Sequence, residues 1–241
     1  MTTKIVTHGK IPENPRVIEA FPSNGFVSTI AAQRIIEQLS MEIVGYIDSD
    51  KTQGICVIHN SKPLKPARIY AKDDLVIVYS EVIIPLEYVG EFSKALCEWF
   101  DKIKPAEVIL LAGISGIEAV EEHEILAIAT TQELSGKLSD SKAKIITDGM
   151  ITGISADILM DCIQKKIPCV SLVTETHFVP DPMASASMLG ILNKLLDLSV
   201  ETEELMKVGE RIEDHVKNIT EHLKRGKEKY RRMEGFSPMY G

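Results

Sequence analysis

The sequence predicts an α/β fold built on a largely parallel or mixed sheet, and three observations carry that expectation. Short, almost wholly apolar runs occur at residues 75–79 (LVIVY), 107–112 (EVILLA) and 168–174 (PCVSLVT). Such runs suit strands covered on both faces. Longer segments whose apolar residues recur three and four apart lie between them, which is the helical period. The chain has 241 residues, 44% of them hydrophobic and 26% charged, enough for one sizeable core. Strands alternating with helices define the class.

The elements follow in order. Residues 16–20 (RVIEA) form the first predicted strand, and Phe21-Pro22-Ser23-Asn24-Gly25 punctuates as a turn. A helix is predicted over 26–40, where Ile30, Ala31, Ile35, Ile36 and Leu39 share a face. Strands are expected at 43–47 and 55–59. Pro63 and Pro66 mark a loop before a strand at 68–71, and Asp73-Asp74 a turn before 75–79. Pro85 opens a helix reaching about Ile103, with Val89, Phe92, Leu96 and Phe100 on one side. Proline fits a first helical turn because its missing N–H would have no partner there. The strand at 107–112 ends in Gly113-Ile114-Ser115-Gly116. Further strands are predicted at 125–130 and 143–147, a turn at Asp148-Gly149, and a helix at 155–166. After the strand at 168–174, Asp181 is placed to cap a helix running to about Leu198.

The final segment has a different pattern. Leu205, Val208, Ile212, Val216, Ile219 and Leu223 cover 18 residues in five steps, a period of 3.6. That is the period of a straight amphipathic helix; a heptad coiled coil needs about 3.5. Gly226, Gly235 and Pro238 then interrupt regular structure. The expected organisation is an α/β core over 1–200, an amphipathic helix over 201–232 and a flexible tail over 233–241.

Charge and cysteine usage exclude several classes. A net charge of −8 argues against a nucleic-acid binder, which must neutralise phosphates. Between Lys224 and Arg232 the chain nevertheless holds six basic residues against one acid, Glu228. This is either a solvated helix face or a stretch that steers the tail toward an acidic partner. Cys56, Cys97, Cys162 and Cys169 form no C-x-x-C pair, and a reducing, cytoplasmic setting is the expectation. Residues 1–10 show no signal pattern, and no apolar run has the length of a membrane span.

Candidate chemistry is sparse. Gly113 and Gly116 follow a buried strand, where backbone amides can meet anions. They match neither G-x-G-x-x-G nor a P-loop, so a strand-end turn is the commoner reading. Asp148 could act as a general base, but its Asp-Gly context is that of a turn. Glu175 and His177 form the best acid–histidine pair, or else polar residues at a strand end. Glu121, Glu122, His123 and Glu124 resemble metal ligands but are consecutive, so their side chains diverge. His215 and His222 are seven apart and would need acidic partners from elsewhere. No catalytic residue, cofactor or metal site is predicted.

The sharpest signal is the ending, Met239-Tyr240-Gly241. A hydrophobic side chain, a tyrosine with one apolar and one polar end, and a terminal carboxylate make a portable peptide anchor.

Four segments together resemble the archaeal proteasome assembly chaperone family. They are FPSNGF from Phe21, LLAGISG from Leu110, TDGMITGISADIL from Thr147 and PDPMASASMLGIL from Pro180. The resemblance implies a three-layer α/β sandwich similar to nucleoside phosphorylases, with a helical C-terminal extension, and assembly into homo-oligomers. It implies that Met239-Tyr240-Gly241 is a hydrophobic-tyrosine-any motif entering pockets between α-subunits of the 20S proteasome. The Gly241 carboxylate would meet a pocket lysine, Tyr240 would bury its ring and bond through its hydroxyl, and Met239 would pack on the wall. The implied function is a non-enzymatic assembly chaperone or adaptor, with no nucleic-acid or membrane partner. Two alternatives stay open. One is a small-molecule binder or phosphorylase-like enzyme using Gly113, Gly116, Asp148, Glu175 and His177. The other is a self-assembling scaffold for a different partner.

Overall fold

Alternate residues along the central strands are apolar toward both sides, so the sheet must be covered twice. Val17, Val76, Val78, Val108 and Leu110 belong to one buried cluster, and Ile18, Ile77, Ile109 and Leu111 to the other. The computed structural model describes residues 3–116, 123–176 and 179–205. Its elements in chain order are β1 (Lys4–Thr7), β2 (Arg16–Ala20), α1 (Val27–Gln38), β3 (Glu42–Asp48), β4 (Val57–His59) and β5 (Lys62–Leu64). They continue with β6 (Ala67–Lys72), β7 (Leu75–Ser80), α2 (Val89–Ile103), β8 (Glu107–Ser115), β9 (Ile125–Ala129) and α3 (Gln132–Ser141). The last are β10 (Lys144–Ile145), α4 (Ile154–Lys165), β11 (Cys169–Thr176) and α5 (Pro182–Leu196).

Among the described residues the main sheet has nine strands in the order β1-β3-β6-β7-β2-β8-β11-β9-β10, with β4 and β5 a separate hairpin. The four central strands, β7, β2, β8 and β11, run parallel. Both flanks turn antiparallel, β6 on β7 and β9 on β11. The fold is a three-layer α/β sandwich with a mixed sheet. Helices α1, α3 and α5 cover one face through Ile30, Ile35, Leu134, Leu138, Met188 and Leu192. Helices α2 and α4 cover the other through Phe92, Leu96, Phe100, Ile158 and Cys162. Burying one Phe or Leu of this kind contributes about 1.5–3 kcal/mol.

Several boundaries differ from the sequence expectation. Strand β8 does not stop at Ala112 but continues to Ser115, paired to Thr176 of β11. Pro63 lies inside β5 rather than in a loop; a two-stranded hairpin tolerates proline because its outer edge needs no donor. Pro85 precedes a 3₁₀ turn at Leu86–Tyr88, and the α-helix begins only at Val89. The strand expected at 143–147 contracts to Lys144–Ile145. Strand β1 and helix α3 had no counterpart in the sequence reading. Asp181 caps α5 as expected, its Oδ1 accepting from the Ala184 amide at 3.0 Å.

Beyond α5 the chain stays fixed to the body as far as Leu205. Val200 and Leu205 are buried, the Arg34 guanidinium donates to the Glu201 carbonyl at 2.9 Å and to Glu204 at 3.0 Å, and Gln38 accepts from the Glu201 amide at 2.7 Å. The rest of the stripe, the basic run, His215, His222 and Met239-Tyr240-Gly241 lie outside the described residues. Among the described residues no helix is long and apolar enough to cross a membrane.

Candidate functional site

The four segments that carry the family resemblance include three that meet at the C-terminal ends of β2, β8 and β11. There the turn after β2 is pressed onto β8. An added Cβ at Gly113 would lie 2.1 Å from the Asn24 carbonyl oxygen, so only glycine fits. Gly25 has φ +67, and a Cβ there would meet Thr176 Cγ2 at 2.7 Å. The Gly113 amide donates to Ser23 Oγ at 2.9 Å, and the Gly116 amide to the Thr176 carbonyl at 2.9 Å. Asn24 Nδ2 donates to Ser115 Oγ at 3.0 Å, and the Asp181 amide to the Gly25 carbonyl at 2.9 Å. The crevice where many α/β sheets bind ligands is therefore filled by the chain itself. Both amides proposed as an anion cradle already serve internal acceptors.

His123 belongs to the same junction. Its Nδ1 donates to the Glu175 carbonyl at 2.9 Å, and its Nε2 lies 3.4 Å from Asp181 Oδ1. These contacts fix the entry to β9 against the start of α5 rather than collecting metal ligands. Glu124 points elsewhere, pairing with Lys144 at 3.2 Å. Glu175 and Asp148 are exposed, and Glu121, Glu122 and His177 lie outside the described residues.

A second constellation was not anticipated. Pairing of β6 with β7 sets Arg68 opposite Tyr79, and Glu81 follows directly after β7. Arg68 Nη2 bonds Glu81 Oε1, and His59 Nε2 reaches the same oxygen at 2.7 Å. The guanidinium also donates to the Tyr70 hydroxyl at 2.7 Å and the Lys65 carbonyl at 2.8 Å, and lies 5.7 Å from the Tyr70 and Tyr79 ring centres. Arg68 and Glu81 are almost wholly buried. Burial pushes the Glu81 carboxyl up, but the His59 hydrogen bond and the Arg68 charge outweigh it and hold it below its ordinary value. The only sequence signal was an arginine inside an apolar strand, ARIYAK.

Glu19 is a contrasting case on β2. It is 1% exposed, and its Oε1 accepts from the Phe21 amide at 3.0 Å. Burial pushes its carboxyl up to about 8, against the hydrogen bonds from Phe21 and Ser155. Nearby Cys97, Cys162 and Cys169 are buried free thiols, as the sequence suggested, while Cys56 is exposed. Burial, aided by the neighbouring Asp161, raises the Cys97 thiol to about 12, so it stays protonated.

The third feature is a cavity of about 590 Å³ beside α4, lined by β8, β9, β11 and the stretch 146–152. Asp148 stands in its lining. The fourth resemblance segment, TDGMITGISADIL, thus forms part of this cavity rather than of the junction.

Comparison with known proteins finds similarity over most of the chain. The PAC2 family model matches residues 17–220. An uncharacterized protein of Methanocaldococcus jannaschii is 33% identical over 224 residues, covering 92% of each chain. The crystal structure of Pyrococcus furiosus PbaA, an archaeal homolog of proteasome-assembly chaperone, superposes with a TM-score of 0.82 at 30% identity, covering 93% of this chain and 99% of that one. Pyrococcus furiosus PbaB, an archaeal proteasome activator, shares the fold with a TM-score of 0.74 at 21% identity, covering 91% and 99%.

Proposed function

The chain belongs to the PAC2 family, and from that premise we propose that it is a proteasome assembly chaperone or adaptor. It acts by binding 20S α-subunits through Met239-Tyr240-Gly241. The observation that carries this reading is the match to PbaA at 30% identity over nearly the full length of both chains. The tripeptide adds a chemical means. A three-residue anchor buries little surface, so one copy binds weakly. Several copies on a homo-oligomer gain from effective concentration.

The phosphorylase-like alternative draws less support. Its two glycine amides are engaged internally, Glu175 is exposed, and Asp148 lines the cavity beside α4 without Gly113, Gly116 or Glu175.

The test is capture of purified α-subunits and mature 20S particles by the full chain and by a chain lacking Met239-Tyr240-Gly241. Deletion should abolish binding with the oligomer unchanged. Tyr240→Ala should weaken each engaged tail by about 1–2 kcal/mol. Undiminished affinity after deletion, read by surface plasmon resonance, overturns the proposal.

A further inference from the structure

The cavity beside α4 has a deep end with unusual chemistry. Its floor is the sheet face formed by Ala112, Ile128 and Val173, and α4 contributes Ala156 and Leu159. Ser171 lies in this lining, fully buried, and its Oγ has no hydrogen-bond partner among the described residues. Buried hydroxyls are nearly always bonded, and leaving one unpaired costs stability. An unpaired hydroxyl at a cavity floor is a donor available to something that enters.

The neighbouring strands extend the pattern. Register aligns Ser171 with Leu110 and Leu110 with Glu19. Glu19 Oε2 is also buried without a partner among the described residues, and Ser155, which acts on the Glu19 carboxyl, lies in the cavity lining. Because burial holds Glu19 mainly protonated at neutral pH, no full charge sits at this end. The lining contains no lysine or arginine, and its one acid, Asp148, is exposed. A phosphate or carboxylate would find no counter-charge there. The volume falls within the range of small-molecule sites, which are mostly apolar with a few placed polar groups.

We propose that this cavity binds a neutral, largely apolar small molecule whose single carbonyl or hydroxyl bonds Ser171, its apolar body resting on Ala112, Ile128, Leu159 and Val173. The site is separate from the proposed tail anchor, so either can fail without the other.

The test uses the full chain and a neutral naphthalene ketone, 6-propionyl-2-dimethylaminonaphthalene, whose emission shifts to the blue in apolar surroundings. Saturable one-to-one binding with a blue shift is expected. Ala156→Trp, which fills the cavity from a half-buried helix position, should weaken binding at least tenfold. Ser171→Ala conserves the packing more closely. It should raise the melting temperature while weakening the ketone about fivefold or more, and leave 2-dimethylaminonaphthalene, which lacks the ketone, unchanged. Three outcomes overturn the proposal: no saturable binding, equal losses for both probes in Ser171→Ala, or tighter binding of the corresponding naphthalene carboxylate. Should Ala156→Trp fail to fold, the Ser171→Ala pair of measurements decides alone.

Discussion

Glu19 on β2 and Glu81 just past the end of the neighbouring β7 are both hidden from water, yet they meet burial in opposite ways. Around Glu81 the antiparallel β6 supplies Arg68 and the separate β4–β5 hairpin supplies His59, and the carboxylate keeps its charge. Around Glu19 stand only the Phe21 amide and, from α4, Ser155, and the carboxyl keeps its proton. Burial alone therefore does not set the charge state of a carboxyl; the partners around it decide whether desolvation is offset. The charged region gathers an arginine and a histidine on one carboxylate oxygen. The neutral region borders an open cavity and leaves polar atoms unmatched.

The contrast can be broken most forcefully at Arg68. Arg68→Leu strands a buried carboxylate and should cost roughly 3–5 kcal/mol in urea denaturation. Adding Glu81→Leu should restore most of that loss, because a buried ion pair replaced by apolar groups is often neutral. A single-mutant loss below about 1 kcal/mol would mean that water or His59 compensates the charge.

The pH response sharpens it next. The unfolded Glu19 ionises near 4.5, while the folded one holds its proton to about 8. Stability from this group is full below 4.5 and is lost as pH rises toward 8, at up to about 1.4 kcal/mol per pH unit. Glu19→Gln should flatten that slope, seen in denaturation midpoints at pH 5 and pH 8. Glu81 has the reverse sign: its folded value is depressed, so its contribution is present above 4.5 and lost as pH falls below it. Glu81→Gln should remove that acid limb and leave the alkaline one.

The smallest effect is expected at His59. Its side chain is 37% exposed, so solvent replaces much of what it gives Glu81. His59→Gln should cost about 1 kcal/mol. A loss equal to that of Arg68→Leu would make the imidazole, not the guanidinium, the main partner.

How much of this was legible in the sequence depended on whether the signal was local. The runs at β7, β8 and β11 and the stripes of α1 and α2 are strong periodic patterns, and all five elements were found. Helix α3 was missed because QELSGKLSDS offers only Leu134 and Leu138 as a buried apolar pair amid polar residues and a glycine. Strand β1 is a half-exposed edge strand of four residues, too short for its alternation to register. Gly113 was taken for a turn because glycine ends strands more often than it continues them; here the Asn24 carbonyl, 89 positions away, sets the requirement. The Arg68 cluster and the cavity draw on three or more elements each, and no spacing rule reaches across such distances. The ending that supplies the chemical means of the functional proposal was readable in the sequence.

The glycine junction has a kinetic side. Its hydrogen bonds join Ser23 to Gly113 across 90 positions and Gly25 to Asp181 across still more of the chain. Closing such loops is slow compared with forming the local β6–β7 hairpin. A nascent chain can complete the junction only after Asp181 has been synthesised, so the first turn after β2 must wait, unmade, while most of the protein is translated.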